Sequence, residues 1–277
     1  MSLEIRDKFN VRCIHSTKSG GIEVFVPTSK PQGVSDILFN AGKYNTADYL
    51  QWLNRTRHVM GEVRASNDMH FKKEILNVEA TGYFKFVNGI DDVAIKLRGG
   101  HHSKSPKDTS ARCYIFRIQG DGKNNFAKEY PHKNGDGYSH HKIETKFKIG
   151  SREKLREKWL GIKGITWNVG SDKVRCQCWI DLHGINENDE FEPDRQVWDL
   201  WYELLDTHGE FGEDNNKHET ASVWTTCQEN STVQFRVDGE GNSMKYYAGN
   251  FMDEHGKERK ATFKFLSARE INIVPEN

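Results

Sequence analysis

Proline is scarce in this chain, with 6 in 277 residues; cysteine is few and odd in number, at 5; and net charge is absent, with 40 Lys+Arg against 40 Asp+Glu. Long apolar runs are missing as well: nothing approaches the roughly 20 residues that a bilayer-spanning helix needs. Zero net charge removes the broad cationic field that draws proteins onto phosphate backbones, so nucleic acid is not an expected partner. A local basic patch remains the route to an anionic ligand. Five cysteines without a paired CxxC arrangement form neither a zinc ribbon nor a fully paired disulfide framework. Cys176 and Cys178, two apart, share one face of a strand and read as small buried hydrophobes. Residues 1–21 carry charge throughout and lack an apolar stretch, so no signal peptide is expected there.

Aromatic residues are plentiful. The 7 Trp and 15 Phe supply the large buried areas that a low aliphatic content would otherwise deny a core. Most informative segments alternate with the period of a strand. Between residues 79 and 87, Ala80, Gly82, Phe84 and Phe86 form one side, while Glu79, Thr81, Tyr83 and Lys85 form a side expected to be wet. Val93, Ile95 and Leu97 oppose Asp92, Lys96 and Arg98, and a third such strand is expected over 141–149, with Ile143, Phe147 and Ile149 inward. Glycine turns separate these stretches, at Asn88-Gly89, Gly99-Gly100, Gly120-Asp-Gly122 and Asn134-Gly-Asp-Gly137. Thr46 and Ser151 are each placed to cap a helix of one or two turns, and residues 193–206 read as strand. Strand and glycine turn at this spacing predict an all-β antiparallel sandwich with one or two short helices. No linker or repeat divides the chain, so residues 1–277 are expected to be a single domain, with 1–60 supplying its N-terminal strands and loops.

The stretches Trp159-Leu-Gly-Ile-Lys-Gly-Ile-Thr-Trp-Asn-Val169, Val174-Arg-Cys-Gln-Cys-Trp-Ile-Asp181 and Ala261-Thr-Phe-Lys-Phe-Leu-Ser-Ala-Arg-Glu-Ile271 resemble strands of the concanavalin A-like lectin/glucanase superfamily. In its folds a strand that opens with Trp and ends near Asn leads through a hairpin to a strand ending in Asp. The resemblance covers most of residues 60–273 and falls in the jelly-roll branch that includes polysaccharide lyases. It implies a concanavalin A-like jelly roll, a polysaccharide partner, and an extracellular or cell-surface setting. The paired acids of retaining glycosidases are not expected.

In such a fold the concave sheet turns the polar half of each strand towards a groove. The expected site therefore gathers Arg98, His102, Arg117, Tyr130 and His132 as catalytic residues, with Lys96, His101, Lys128, Trp198 and Trp201 binding substrate. Cleavage of a polyuronate by β-elimination needs a cation or amide to neutralise the sugar carboxylate, which acidifies the C5 proton. It also needs a Tyr or His to move that proton and protonate the leaving oxygen. Arg98 and Arg117 are the expected neutralisers; His102, His132 and Tyr130 are the expected acid and base. Non-catalytic glycan binding through tryptophan faces, or a surface-assembly role, is the alternative. No cofactor is required. His101-His102 with His132 or His140 lack the HxxxH or HxH spacing of a metal site. The acidic loop 181–190 offers oxygens for a structural Ca²⁺ but lacks the full D-x-D-x-D-G pattern, so an exposed loop is preferred.

Overall fold

The architecture was obtained as a computed structural model. It describes the backbone at residues 24–27, 32–35, 49–59, 62–71, 74–85, 90–99, 112–130, 138–141, 143–188, 190–207, 223–226, 231–239, 244–247, 250–253, 258–259 and 262–274. Side chains are described for most of residues 71–99, 112–130, 138–207, 223–226 and 231–236, and for 266, 268, 270 and 271.

Strands are numbered in chain order. One antiparallel sheet runs β1 (Val24–Pro27), β17 (Thr262–Val274), β5 (Val78–Lys85), β10 (Trp159–Val169), β11 (Lys173–Asp181) and β12 (Asp199–Thr207), and β2 (Gln32–Ser35) also pairs with β17. The second runs β3 (Tyr49–Val59), β4 (Glu62–Phe71), β13 (Thr232–Gly239), β6 (Ile90–Gly99), β7 (Cys113–Gln119), β8 (Phe126–Glu129) and β9 (Tyr138–His141). A small third sheet joins β14 (Met244–Tyr247), β15 (Asn250–Asp253) and β16 (Glu258–Arg259). The helix α1 (Arg152–Leu155) is a single turn that follows Ser151, and a 3₁₀ turn covers Pro193–Arg195.

The two large sheets pack face to face as an antiparallel sandwich. Alternation puts Val93, Ile95 and Leu97 of β6 and Tyr114, Phe116 and Ile118 of β7 into the shared core. Leu160 and Ile162 of β10 and Cys176 and Cys178 of β11 meet them from the first sheet. Gly164 lets the sheets close here, because a Cβ at that position would lie 3.1 Å from Phe116 and 3.3 Å from Leu97. The Trp-to-Asn and Asp-ending stretches form the expected hairpin, β10–β11, which pairs Trp167 with Arg175 and Gly161 with Asp181.

Three local expectations are corrected. Residues 49–59 form a strand, β3, where a short capped helix was expected, since pairing with β4 over its length overrides the weak helical signal. The strand expected over 141–149 ends at His141; Ile143 and Phe147 still pack on the core, from irregular chain. The supposedly wet side of β5 is buried, with Glu79, Thr81 and Tyr83 each 2% exposed or less. Asn88-Gly89, Gly100 and Asn134-Gly-Asp-Gly137 lie outside the described residues.

Candidate functional site

Residues that alternate with the core side of β6, β7 and β8 emerge on the outer face of the second sheet. There Ala94, Cys113, Ile115 and Ala127 make a small cluster of their own, with Tyr138 against it. Strand register aligns Cys113 with Glu129 and Glu129 with Tyr138, and places His140 beside Ala127. Glu129 is the hub. One carboxylate oxygen, Oε2, pairs with Lys96 Nζ and accepts from Cys113 Sγ at 3.4 Å. The other, Oε1, accepts from Tyr138 Oη at 3.1 Å. Burial pushes the Lys96 amine below the ordinary lysine range and the Cys113 thiol above its own. Arg236, buried on β13, opposes the charge on Lys96. Along β9, Tyr138 and His140 stack with ring centroids 6.3 Å apart. His140 Nδ1 lies 2.6 Å from Asn125 Oδ1, so a neutral imidazole that donates to this oxygen would carry its proton on Nδ1 and present Nε2 as an acceptor. Arg117 is on the same face, 3.7 Å from Asp92.

The structure does not gather the expected site on one face. Lys96 and Arg117 are on this outer face, but Lys128, two residues from the core-facing Phe126, points between the sheets. It pairs there with Asp206 and lies 5.2 Å from the Trp224 ring centroid. Tyr130 is also in the inter-sheet core, in edge contact with Trp224. Arg98 departs from the alternation of its strand because its φ is 56° and the β6–β13 register shifts beside it, so that two residues oppose one. Turned inward, its guanidinium donates to Asn168 Oδ1 at 2.6 Å and to the Trp224 carbonyl at 2.9 Å. It staples the sheets together instead of facing a groove. Trp201 is in the core with its indole N–H on the Phe147 carbonyl, and Trp198 is buried on the outer face of the first sheet, on the far side of the sandwich. His101, His102 and His132 lie outside the described residues.

Sequence reasoning missed Glu129, Tyr138 and His140 as a set. The available signal was the spacing of two between Tyr138 and His140, which puts them on one strand face. What the sequence did not give was the pairing with β8 that brings Glu129 beside them.

The acidic loop after Asp181 exposes Glu187, Asn188 and Glu190, as preferred, but not Asp181 itself. Asp181 turns inward: Oδ2 accepts from Tyr83 Oη at 2.6 Å, and Oδ1 accepts from the N–H groups of His183 and Gly184 at 2.8 and 3.1 Å. A hard cation would have to displace these donors, so Asp181 does not suit a structural Ca²⁺. Among the described residues no group of three or more His, Cys, Asp or Glu side chains is placed to hold a metal. The stretch Glu187-Asn-Asp-Glu-Phe-Glu192 does carry the Glu-x-Asp-x-x-Glu spacing of family-16 glucanases, contrary to the expectation that paired acids are absent. Its described residues belong to none of the named strands, however, and Glu192 is engaged by Asn186 and Arg195. Those hydrogen bonds hold its carboxyl below the ordinary carboxylate range.

No family model matches the chain, and no curated protein matches it. Among solved structures, the chain is similar to the carbohydrate binding module CBM66 from Bacillus subtilis, at 10% identity over 80% of this chain and 97% of that one, with a TM-score of 0.37. The kappa-carrageenase from Pseudoalteromonas carrageenovora, solved with a kappa-carrageenan oligotetrasaccharide, aligns over 92% and 98% at 9% identity and a TM-score of 0.41. An alginate lyase from Chlorella virus aligns over 93% and 88% at 12% identity and a TM-score of 0.34. At these identities and TM-scores the likenesses assign no family, substrate or residue role to this chain.

Proposed function

We propose that the protein binds an acidic polysaccharide across the outer face of the second sheet and cleaves it by β-elimination. The observation that carries this reading is the stacked pair Tyr138 and His140 on one strand face, with the Tyr138 hydroxyl on the buried Lys96–Glu129 pair. Arg117 neutralises the uronate carboxylate and so acidifies the C5 proton. His140 Nε2 takes that proton; the electron pair forms the C4–C5 double bond as the C4–O bond breaks, and the Tyr138 hydroxyl protonates the departing oxygen. Glu129, paired with Lys96, accepts from the phenol and orients it between turnovers. A polyuronate also suits a protein of zero net charge, because the attraction is local to this face.

The test incubates the full chain with alginate, glucuronan, pectate and chondroitin and follows absorbance in the unsaturated-uronate band. Product from at least one, reduced about a hundredfold or more in Tyr138→Phe and in His140→Ala, supports the reading. Absence of product from all four, or full-rate cleavage by the double variant, overturns it. Retention on an immobilised polyuronate without product would leave the face as a lectin site.

A further inference from the structure

The first sheet has a covered outer face of its own. Its cover is the loop that leaves β11 at Asp181 and returns at Trp198, and buried hydrogen bonds fasten it at both ends. Besides the bonds of Asp181 to Tyr83, His183 and Gly184, the Gln196 amide donates to Tyr83 Oη at 2.7 Å. Gly184 is required where the loop crosses, because a Cβ there would lie 2.5 Å from both Asp181 Oδ2 and Tyr83 Oη. Between these anchors the Glu192 N–H donates to the Gly184 carbonyl at 2.8 Å, and Asn186 bonds back to the Asn188 and Glu190 N–H groups at 2.9 and 3.0 Å. The loop is thus a built wall, held by its own hydrogen bonds.

A cleft of about 750 Å³ separates this wall from the turn that carries Arg156 to Trp159. That is the size of a pocket for several sugar rings. Trp159, Ile185 and Leu182 give it apolar surface, and Leu182 is 41% exposed, one of two large hydrophobic side chains left in solvent among the described residues. The side-chain polar groups of His183, Glu187 and Asn188 line the same space without a hydrogen-bond partner among the described residues. The facing turn holds Glu157 at a φ of 58°, a conformation that costs a non-glycine residue about 1 kcal/mol or more. Three lining cations, Arg156, Lys158 and Arg195, are matched by three carboxylates, Glu157, Glu187 and Glu192. Such a lining exerts no net pull on a polyanion. Its apolar surface matches the C–H face of a pyranose, and its mixed donors and acceptors match hydroxyl groups.

We infer that this cleft is a second carbohydrate site, selective for neutral pyranose oligosaccharides and separate from the charged face of the second sheet. It does not depend on the lyase reading, since the two lie on opposite sides of the sandwich.

The full-length protein is titrated calorimetrically with cellohexaose, mannohexaose and xylohexaose, and with an alginate hexasaccharide as the charged comparator. The expected result is saturable binding of at least one neutral hexaose, weakened about tenfold or more in the surface variant His183→Ala/Asn188→Ala. Thermal unfolding of that variant checks that the fold persists, and its polyuronate cleavage should equal that of the parent. Binding of none of the neutral hexaoses, binding unchanged in the variant, or displacement of the bound hexaose by the alginate fragment would each overturn the inference.

Discussion

Lys96 and Glu129 form an ion pair on the outer face of the second sheet with side chains 5% and 0% exposed. Such a pair gains little over a well-packed apolar pair, but removing one member strands the other charge. Lys96→Met should therefore destabilise the fold by about 3–5 kcal/mol in urea unfolding. Adding Glu129→Leu should recover most of the loss, whereas Glu129→Leu alone should be costly. Independent, additive losses in the cycle would mean that the two charges are not coupled.

Burial lowers the proton affinity of both Lys96 and Lys128 in the native state. Between that depressed value and the ordinary lysine value, the unfolded chain binds more protons than the native one, so stability should rise with pH through this window. Below the native value both states are protonated and neither group adds a slope. Alkaline urea titrations should show the gain in the parent and a smaller one in Lys96→Met; equal slopes would contradict the assignment.

Tyr83→Phe removes the hydroxyl that Asp181 and Gln196 share. Both partners are left buried and short of a hydrogen bond, at a cost of about 1–3 kcal/mol. The loop end is where the loss should register. Amide exchange at His183 and Gly184 should accelerate more than exchange within β10, and uniform acceleration would speak against a local anchor.

Cys113, Cys176 and Cys178 are free, buried thiols whose pKa values are pushed up by burial. Maleimide should not modify these three in the native protein and should reach all of them in denaturant, with labelled sites mapped by mass spectrometry. Native-state labelling of any of the three would show that the sandwich opens locally.

The strands were legible because one side of each is apolar with a period of two, as at Val93, Ile95 and Leu97. The polar sides were the harder half. Alternation says that Lys96 points away from Ile95 but not whether water or another layer lies there. Tyr83 looked wet because the loop that covers it lies 98 residues away in sequence. Arg98 takes the other face for a different reason: a positive φ at a register shift reverses its side chain, and no periodicity reports it. Residue type alone makes Trp198 and Trp201 sugar platforms, yet Trp201 satisfies its indole N–H inside the core, where that type is equally at home.

The order of the strands has a bearing on how the chain reaches this state. β13 lies between β4 and β6, and β17 lies between β1 and β5, so each large sheet has an internal position filled by a strand distant in sequence from its neighbours. During synthesis, neither sheet can close until those segments emerge, and the hairpin of β3 and β4 waits with an unpaired edge. Folding must overcome the loop-closure cost of these distant pairings. A chain truncated before Thr232 should leave β4 and β6 unjoined and prone to self-association.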